Sequence, residues 1–155
     1  PSERRGVDLV RVVENVLDML LDKFNSHGIQ VVKDFAPDLP QVLADFDHMS
    51  QVLLNLMLNA CQAMPEGGTL TFRMRAKANM VELSVQDTGV GIPEEEVSKI
   101  FDPFFTTKPV GEGTGLGLTV VHGIIQEHNG TIRVHSIPSE GTTFVVALPI
   151  HLPRE

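Results

Sequence analysis

The chain has a single cysteine, Cys61, set inside an apolar run. No disulfide can form within it, so the fold must rest on packing, and the usage fits a reducing compartment. Cys61 itself reads as a small buried hydrophobe. Basic clusters are also scarce: beyond the arginine pair at 4–5 no run of Lys or Arg stands out, and the formal net charge is -8. A nucleic-acid binder carries a basic patch, so this class is disfavoured. An anionic ligand would have to be held by local geometry rather than by the overall field. No apolar run reaches the roughly 18 residues of a membrane span, and no signal peptide is visible, so no membrane contact by this domain is expected. The first residue is Pro1, not Met, which points to a piece cut from something longer.

What remains is an ordinary globular composition. The 155 residues are 42% hydrophobic and 21% charged, enough for one domain with a core of its own. Val10, Val13, Leu17, Leu20 and Phe24 recur at helical spacing over 7–24. "IQVVKDF" (29–35) reads as a strand and "VLAD" (42–45) as a short extended piece, with Asp45 or Asp47 able to cap the next helix. That second helix covers 48–64 and stops at "PEGG". The alternating segments 69–76 and 80–87 read as an antiparallel hairpin. The stretch 88–114 holds only a short helical piece around 94–100, and so much irregular chain in a compact domain reads as a lid or binding loop. A third helix over 115–128 and a final pair of strands, 131–136 and 142–149, complete the order. Helices segregated on one face of a mixed sheet give an α/β (α+β) two-layer sandwich. The expected sheet has about five strands, mostly antiparallel, with three main helices over it.

Three features carry chemistry. The apolar helix 48–64 holds Asn55, Asn59 and Gln62 at spacings of four and three, which puts them on one stripe. A solvated polar edge would explain one such residue. Three amides in line also suit a surface offering neutral ligands, such as magnesium on nucleotide phosphates would use. Asp87 ends an apolar strand and leads into "TGVGIP". That is either a common turn or a carboxylate poised to accept from an exocyclic amine, with Gly89 and Gly91 allowing close approach. Finally, "GEGTGLGL" (111–118) opens a helix, a common way to hold phosphate on bare N–H groups. It is neither a P-loop nor the G-x-G-x-x-G fingerprint, and it comes after a lid rather than a strand.

Taken together, "NLMLNACQAM", "DTGVGIP", "FDPFF" and "GTGLGL" resemble, in order, the N, G1, F and G2 boxes of the catalytic, ATP-binding domain of sensor histidine kinases. This is the Bergerat-fold group that also holds gyrase B, the Hsp90 chaperones and MutL. "QAMPEGG" and "FFTTK" look most like the nitrogen-regulator-type kinases. The resemblance covers about 7–150 of a single domain, 1–155, with the ATP lid at about 93–115. It implies ATP and Mg²⁺ as ligands. Asn59 would be the metal ligand, with Asn55 and Gln62 on the phosphate side. Asp87 would accept from the adenine amine, Gly89 and Gly91 would let the base pack close, and Ile92 would form part of the floor. Thr143 would support the adenine end, and Gly113, Thr114, Gly115, Leu116 and Gly117 would cradle the phosphates. Thr107 and Leu118 join this binding set. Lys108 could meet the γ-phosphate or be merely solvated, and Phe101, Phe104 and Phe105 could pack the lid or dock another domain.

Position 55 bears on the reaction. The ATP-hydrolysing members and the serine kinases of the group carry a glutamate four residues before the metal asparagine; here the residue is Asn55. An amide cannot take a proton at neutral pH. A neutral imidazole needs no such base, so histidine phosphorylation fits, with Asn55 and Lys108 as the candidate catalytic groups. The six histidines, His27, His48, His122, His128, His135 and His151, include no H-E-x-x-N-P segment, and all read as structural or solvated. The acceptor would sit on a separate dimerisation domain, with a response regulator downstream through the parent kinase. The chain would be cytoplasmic, where ATP is, and a monomer in isolation. A gyrase- or Hsp90-type ATPase, an anti-sigma-type serine kinase and a non-catalytic nucleotide-sensing module are the alternatives.

Overall fold

The computed structural model describes residues 3–101 and 117–152. Its elements run β1 (Arg5–Val7), α1 (Leu9–Ser26), β2 (Ile29–Phe35), β3 (Val42–Ala44), α2 (Phe46–Ala63), β4 (Gly68–Lys77), β5 (Met80–Asp87), α3 (Glu94–Val97), α4 (Gly117–Glu127), β6 (Thr131–Ile137) and β7 (Gly141–Pro149). Five strands form one sheet in the order β2–β4–β5–β7–β6. The β2–β4 pair is parallel and the other pairs are antiparallel. The three long helices lie over one face: α1 against β2, α2 against β5 and β7, and α4 against β6. The expected two-layer sandwich is the observed one.

Each helix is in place for local reasons. Asp8 caps α1, its side chain accepting from the Val10 amide at 3.0 Å. The helix therefore starts at Leu9, two residues later than its apolar spacing suggested. Leu9, Val12, Val13, Val16 and Leu17 then form the buried stripe that an amphipathic helix turns to the core. Asp45, not Asp47, caps α2: its carboxylate accepts from the His48 amide at 3.1 Å and from the Glu3 amide at 2.8 Å. The far end of α4 is tied to this cap by His128, which is 2% exposed. Its Nε2 accepts from the Asp45 amide at 3.1 Å, so Nδ1 must carry the proton it donates to the Ile124 carbonyl at 2.8 Å. His128 is thus a structural histidine, in its neutral form.

Two further points differ from the sequence reading. Residues 5–7 are extended and pair with β3 as a separate two-stranded sheet, a strand too short to show periodicity. The helical piece after Pro93 is only the single turn α3, shorter than the 94–100 expected, and it buries no residue.

Asp45 offers a stability test. Burial pushes its carboxyl up, but the Glu3 and His48 amides and the nearby His48 ring outweigh that and leave it lowered. A lowered carboxyl stabilises the fold above the ordinary carboxylate range and loses that contribution as pH falls through its folded value. Asp45→Ala is expected to cost about 1–2 kcal/mol at pH 7, or several degrees in melting temperature. Thermal melts across pH should show the gap to the parent protein narrowing in acid.

Candidate functional site

The site arises from the pleat of three adjacent strands. Gln86 faces Thr143 across β5–β7, and Ser136 faces Thr142 across β6–β7. Side chains alternate between faces, so Asp87, Thr142 and Ser136 form a row on the face that carries the helices. Asp87 is 5% exposed and Thr142 is 4% exposed. Thr143 points to the opposite face. The threonine beside Asp87 is therefore Thr142, whereas Thr143, which the sequence put forward for the adenine end, lies on the other face of the sheet.

Asp87 Oδ1 accepts from the amides of Gly89 at 2.9 Å and Thr142 at 3.2 Å. Among the described residues Oδ2 takes no hydrogen bond. Burial pushes the carboxyl up, and the two amides pull it only part of the way back, so its net shift is upward. A buried carboxylate with one oxygen committed to two amides, and the other without a bond among the described residues, suits a ligand N–H.

The loop after Asp87 is fixed on two sides. A side chain at Gly89 would run into the Ala63 carbonyl, and the Val90 amide donates to that same oxygen at 3.0 Å. Gly91 has φ +74, a conformation that favours glycine, and a side chain there would strike the Ile137 carbonyl. The Ser139 amide donates to Val90 O at 2.7 Å, and the Ile92 amide to Ser136 Oγ at 2.7 Å. Thr88 Oγ1 accepts from the Thr69 amide at 3.0 Å and donates to Met64 Sδ at 3.7 Å.

The amide stripe of α2 lies between this loop and the start of α4. Asn55 and Asn59 are half-buried and Gln62 is exposed. Asn55, Asn59 and Ala63 are spaced four apart, hence on one side of the helix. Ala63 meets the Asp87 loop, while Asn55 Oδ1 lies 4.0 Å from where a Cβ of Gly117 would stand. Over about 12 Å of helix, the stripe thus leads from a buried carboxylate to a helix N-terminus, the positive end that favours anions. Leu118 and Ile92 pack partly buried against the core at its two sides. Thr119 Oγ1 donates to the Phe101 carbonyl at 2.8 Å, and the Phe101 ring stacks on His122 with centroids 5.2 Å apart. Thr107, Lys108, Gly113, Thr114, Gly115 and Leu116, with Phe104 and Phe105, lie outside the described residues.

Sequence reasoning missed Ser136, Thr142 and Ala63. Only register reveals the first two, and Ala63 matters through its carbonyl, which no side-chain pattern announces.

A separate cleft of about 830 Å³ opens at the start of α1 and α2, lined by Arg5, Asp8, Arg11, Gln41, Asp45 and His48 among others. It mixes both charge signs and includes no residue of the amide stripe or the Asp87 loop. No helix among the described residues is long and apolar enough to cross a membrane.

Comparison with known proteins gives consistent findings. The family model described as "Histidine kinase-, DNA gyrase B-, and HSP90-like ATPase" matches residues 44–152. Sensor histidine kinase ZraS of Escherichia coli (strain K12) is 41% identical over 97% of this chain and 32% of its own length. The solved catalytic domain of histidine kinase ThkA, nucleotide free, superposes with a TM-score of 0.86 at 33% identity, covering 96% of each chain. Full-length ShkA in complex with AMPPNP gives 0.88 at 26% identity, over 100% of this chain and 33% of that one. The chain thus spans about a third of the length of the curated relative.

Proposed function

Because the chain belongs to the histidine kinase-, DNA gyrase B- and HSP90-like ATPase family, we propose that it is the ATP-binding catalytic domain of a sensor histidine kinase. It would bind Mg-ATP and transfer the γ-phosphoryl group to a histidine on a separate dimerisation domain, for relay to a response-regulator aspartate. It would work on the cytoplasmic side, where ATP is available. The observation that carries this reading is the stripe of α2, which joins a buried amine acceptor to a helix N-terminus over the span of an extended nucleoside triphosphate. The structure of ShkA with AMPPNP supports a nucleotide at the corresponding fold.

In this reading Asp87 Oδ2 accepts from the adenine amine, and Ile92 forms part of the floor. Asn59 supplies an amide oxygen, and Asn55 and Gln62 face the phosphates. The neutral donor set fits magnesium, which takes one or two protein oxygens and keeps its waters. When bound, the ion offsets phosphate charge during in-line transfer. The α4 N-terminus adds fixed positive potential on the same side. Thr107, Lys108 and the glycines from 113 to 117 would close over the triphosphate.

Asn55 separates transfer to imidazole from hydrolysis. An amide cannot deprotonate water, whereas a neutral imidazole attacks without a base. Calorimetric titration with a non-hydrolysable ATP analogue is expected to show magnesium-dependent binding, and steady-state assay of the chain alone negligible ATP turnover. Labelled ATP with the cognate dimerisation domain should give an acid-labile, base-stable phosphoprotein. Steady hydrolysis by the isolated chain, or an acid-stable product, would refute the assignment.

A further inference from the structure

We propose that Ser136 is a positioning and specificity-determining residue for the purine base. It would act by fixing the hydroxyl of Thr142 as an acceptor beside Asp87. The inference rests on the reading of Asp87 as the amine acceptor.

Ser136 Oγ has three neighbours. The Ile92 amide donates to it at 2.7 Å, Thr142 Oγ1 lies at 2.8 Å, and the Gly141 carbonyl lies at 3.1 Å. A serine hydroxyl holds one proton and two lone pairs. The carbonyl can only accept, so it takes the serine proton. The amide can only donate, so it occupies one lone pair. Thr142 must then donate into the other. In this arrangement every group at Ser136 is satisfied, which matters for half-buried polar atoms.

Two consequences reach the base. The proton of Thr142 is spent on Ser136, so Thr142 Oγ1 has only lone pairs left to offer. Its backbone amide already binds Asp87 Oδ1 at 3.2 Å, which keeps the two acceptors together. An edge made of acceptors favours a purine amine over a purine carbonyl, that is, adenine over guanine. The same hydroxyl also holds the Ile92 amide, and with it the floor at a fixed distance from the carboxylate. Like Asp87, whose Oδ1 accepts from the Gly89 and Thr142 amides, Ser136 bonds both the loop after Asp87 and the β6–β7 hairpin.

The test compares the parent chain with Ser136→Ala, Ser136→Cys and Ser136→Thr. Titrations use ATP, GTP and inorganic tripolyphosphate, all with magnesium. Both hydroxyl-free variants should lose about five- to tenfold in ATP affinity, with GTP and tripolyphosphate nearly unchanged, so the purine preference narrows. Ser136→Thr should keep the parent preference. Amide exchange at Ile92 should quicken in the hydroxyl-free variants without nucleotide. Equal losses for all three ligands would mean a merely structural residue and would overturn the inference, as would an unchanged ATP-to-GTP ratio in both. Asp87→Asn separates the two readings. If it leaves ATP affinity unchanged, the adenine assignment itself fails. If it loses ATP while Ser136→Ala and Ser136→Cys keep the preference, only the role of Ser136 falls.

Discussion

Asn59→Ala is expected to abolish the magnesium-dependent part of ATP binding, a loss of about a hundredfold or more. The chemistry of the stripe sets that scale. Magnesium takes one or two protein oxygens in such sites, so removing one side-chain ligand removes most of what the protein offers the ion. Even outer-shell changes cost about ten- to a hundredfold in metal affinity. The variant should still fold. Asn59 is only half-buried, and alanine is the better helix former by about half a kcal/mol. The measurement is a pair of titrations, with magnesium and with chelator. The parent should bind far more tightly with the metal, and the variant should bind with the same weak affinity in both. If the variant keeps a large magnesium effect at unchanged melting temperature, the ligand lies elsewhere. Asn55, one turn earlier and facing the start of α4, would then be the first position to test.

The stripe was legible because three uncharged amides at helical spacing stand out in a helix that otherwise buries Met49, Val52, Leu53, Leu56, Met57, Ala60 and Cys61. The sheet was legible for a similar reason: β4 and β5 alternate strictly, and their pairing needs only a tight turn. Parallel pairing of β2 with β4 brings distant segments together, and nothing local specifies it. The same limit explains the threonine. "GTTF" offers two adjacent hydroxyls, and which one faces the helices depends on a pleat phase fixed by pairing with β5 and β6. A one-residue error in phase moves a side chain to the other face of the sheet. Ser136 was hidden likewise, since a serine in an exposed-looking strand carries no mark until Ile92, Gly141 and Thr142 surround it.

Asp87→Asn should separate binding from stability, in opposite directions. The amide keeps an Oδ1 that can accept from the Gly89 and Thr142 amides, so the turn survives. It turns Oδ2 into an N–H pair, which meets the adenine amine donor to donor. A hydrogen bond to a charged acceptor is worth about 1.5–3 kcal/mol, and a mismatched buried polar group costs more. ATP affinity should therefore fall about a hundredfold. GTP, whose purine offers a carbonyl at that edge, should gain relative to ATP. Stability moves the other way. Burial raises the Asp87 carboxyl in the folded chain above its ordinary value, so the folded state holds its proton more tightly than the unfolded state does. The stability tied to that proton is full below the ordinary carboxylate range and is lost as pH rises through the raised folded value. Asparagine does not titrate. The variant should gain on the parent as pH climbs through that window, and at neutral pH it should melt no lower. Melting curves from acid to neutral pH give the sign directly. A variant that lost ATP and also melted well below the parent at neutral pH would make Asp87 a structural anchor of the turn. A variant that melts as high and binds no ATP makes it a carboxylate held charged, at a cost to the fold, for the base it recognises.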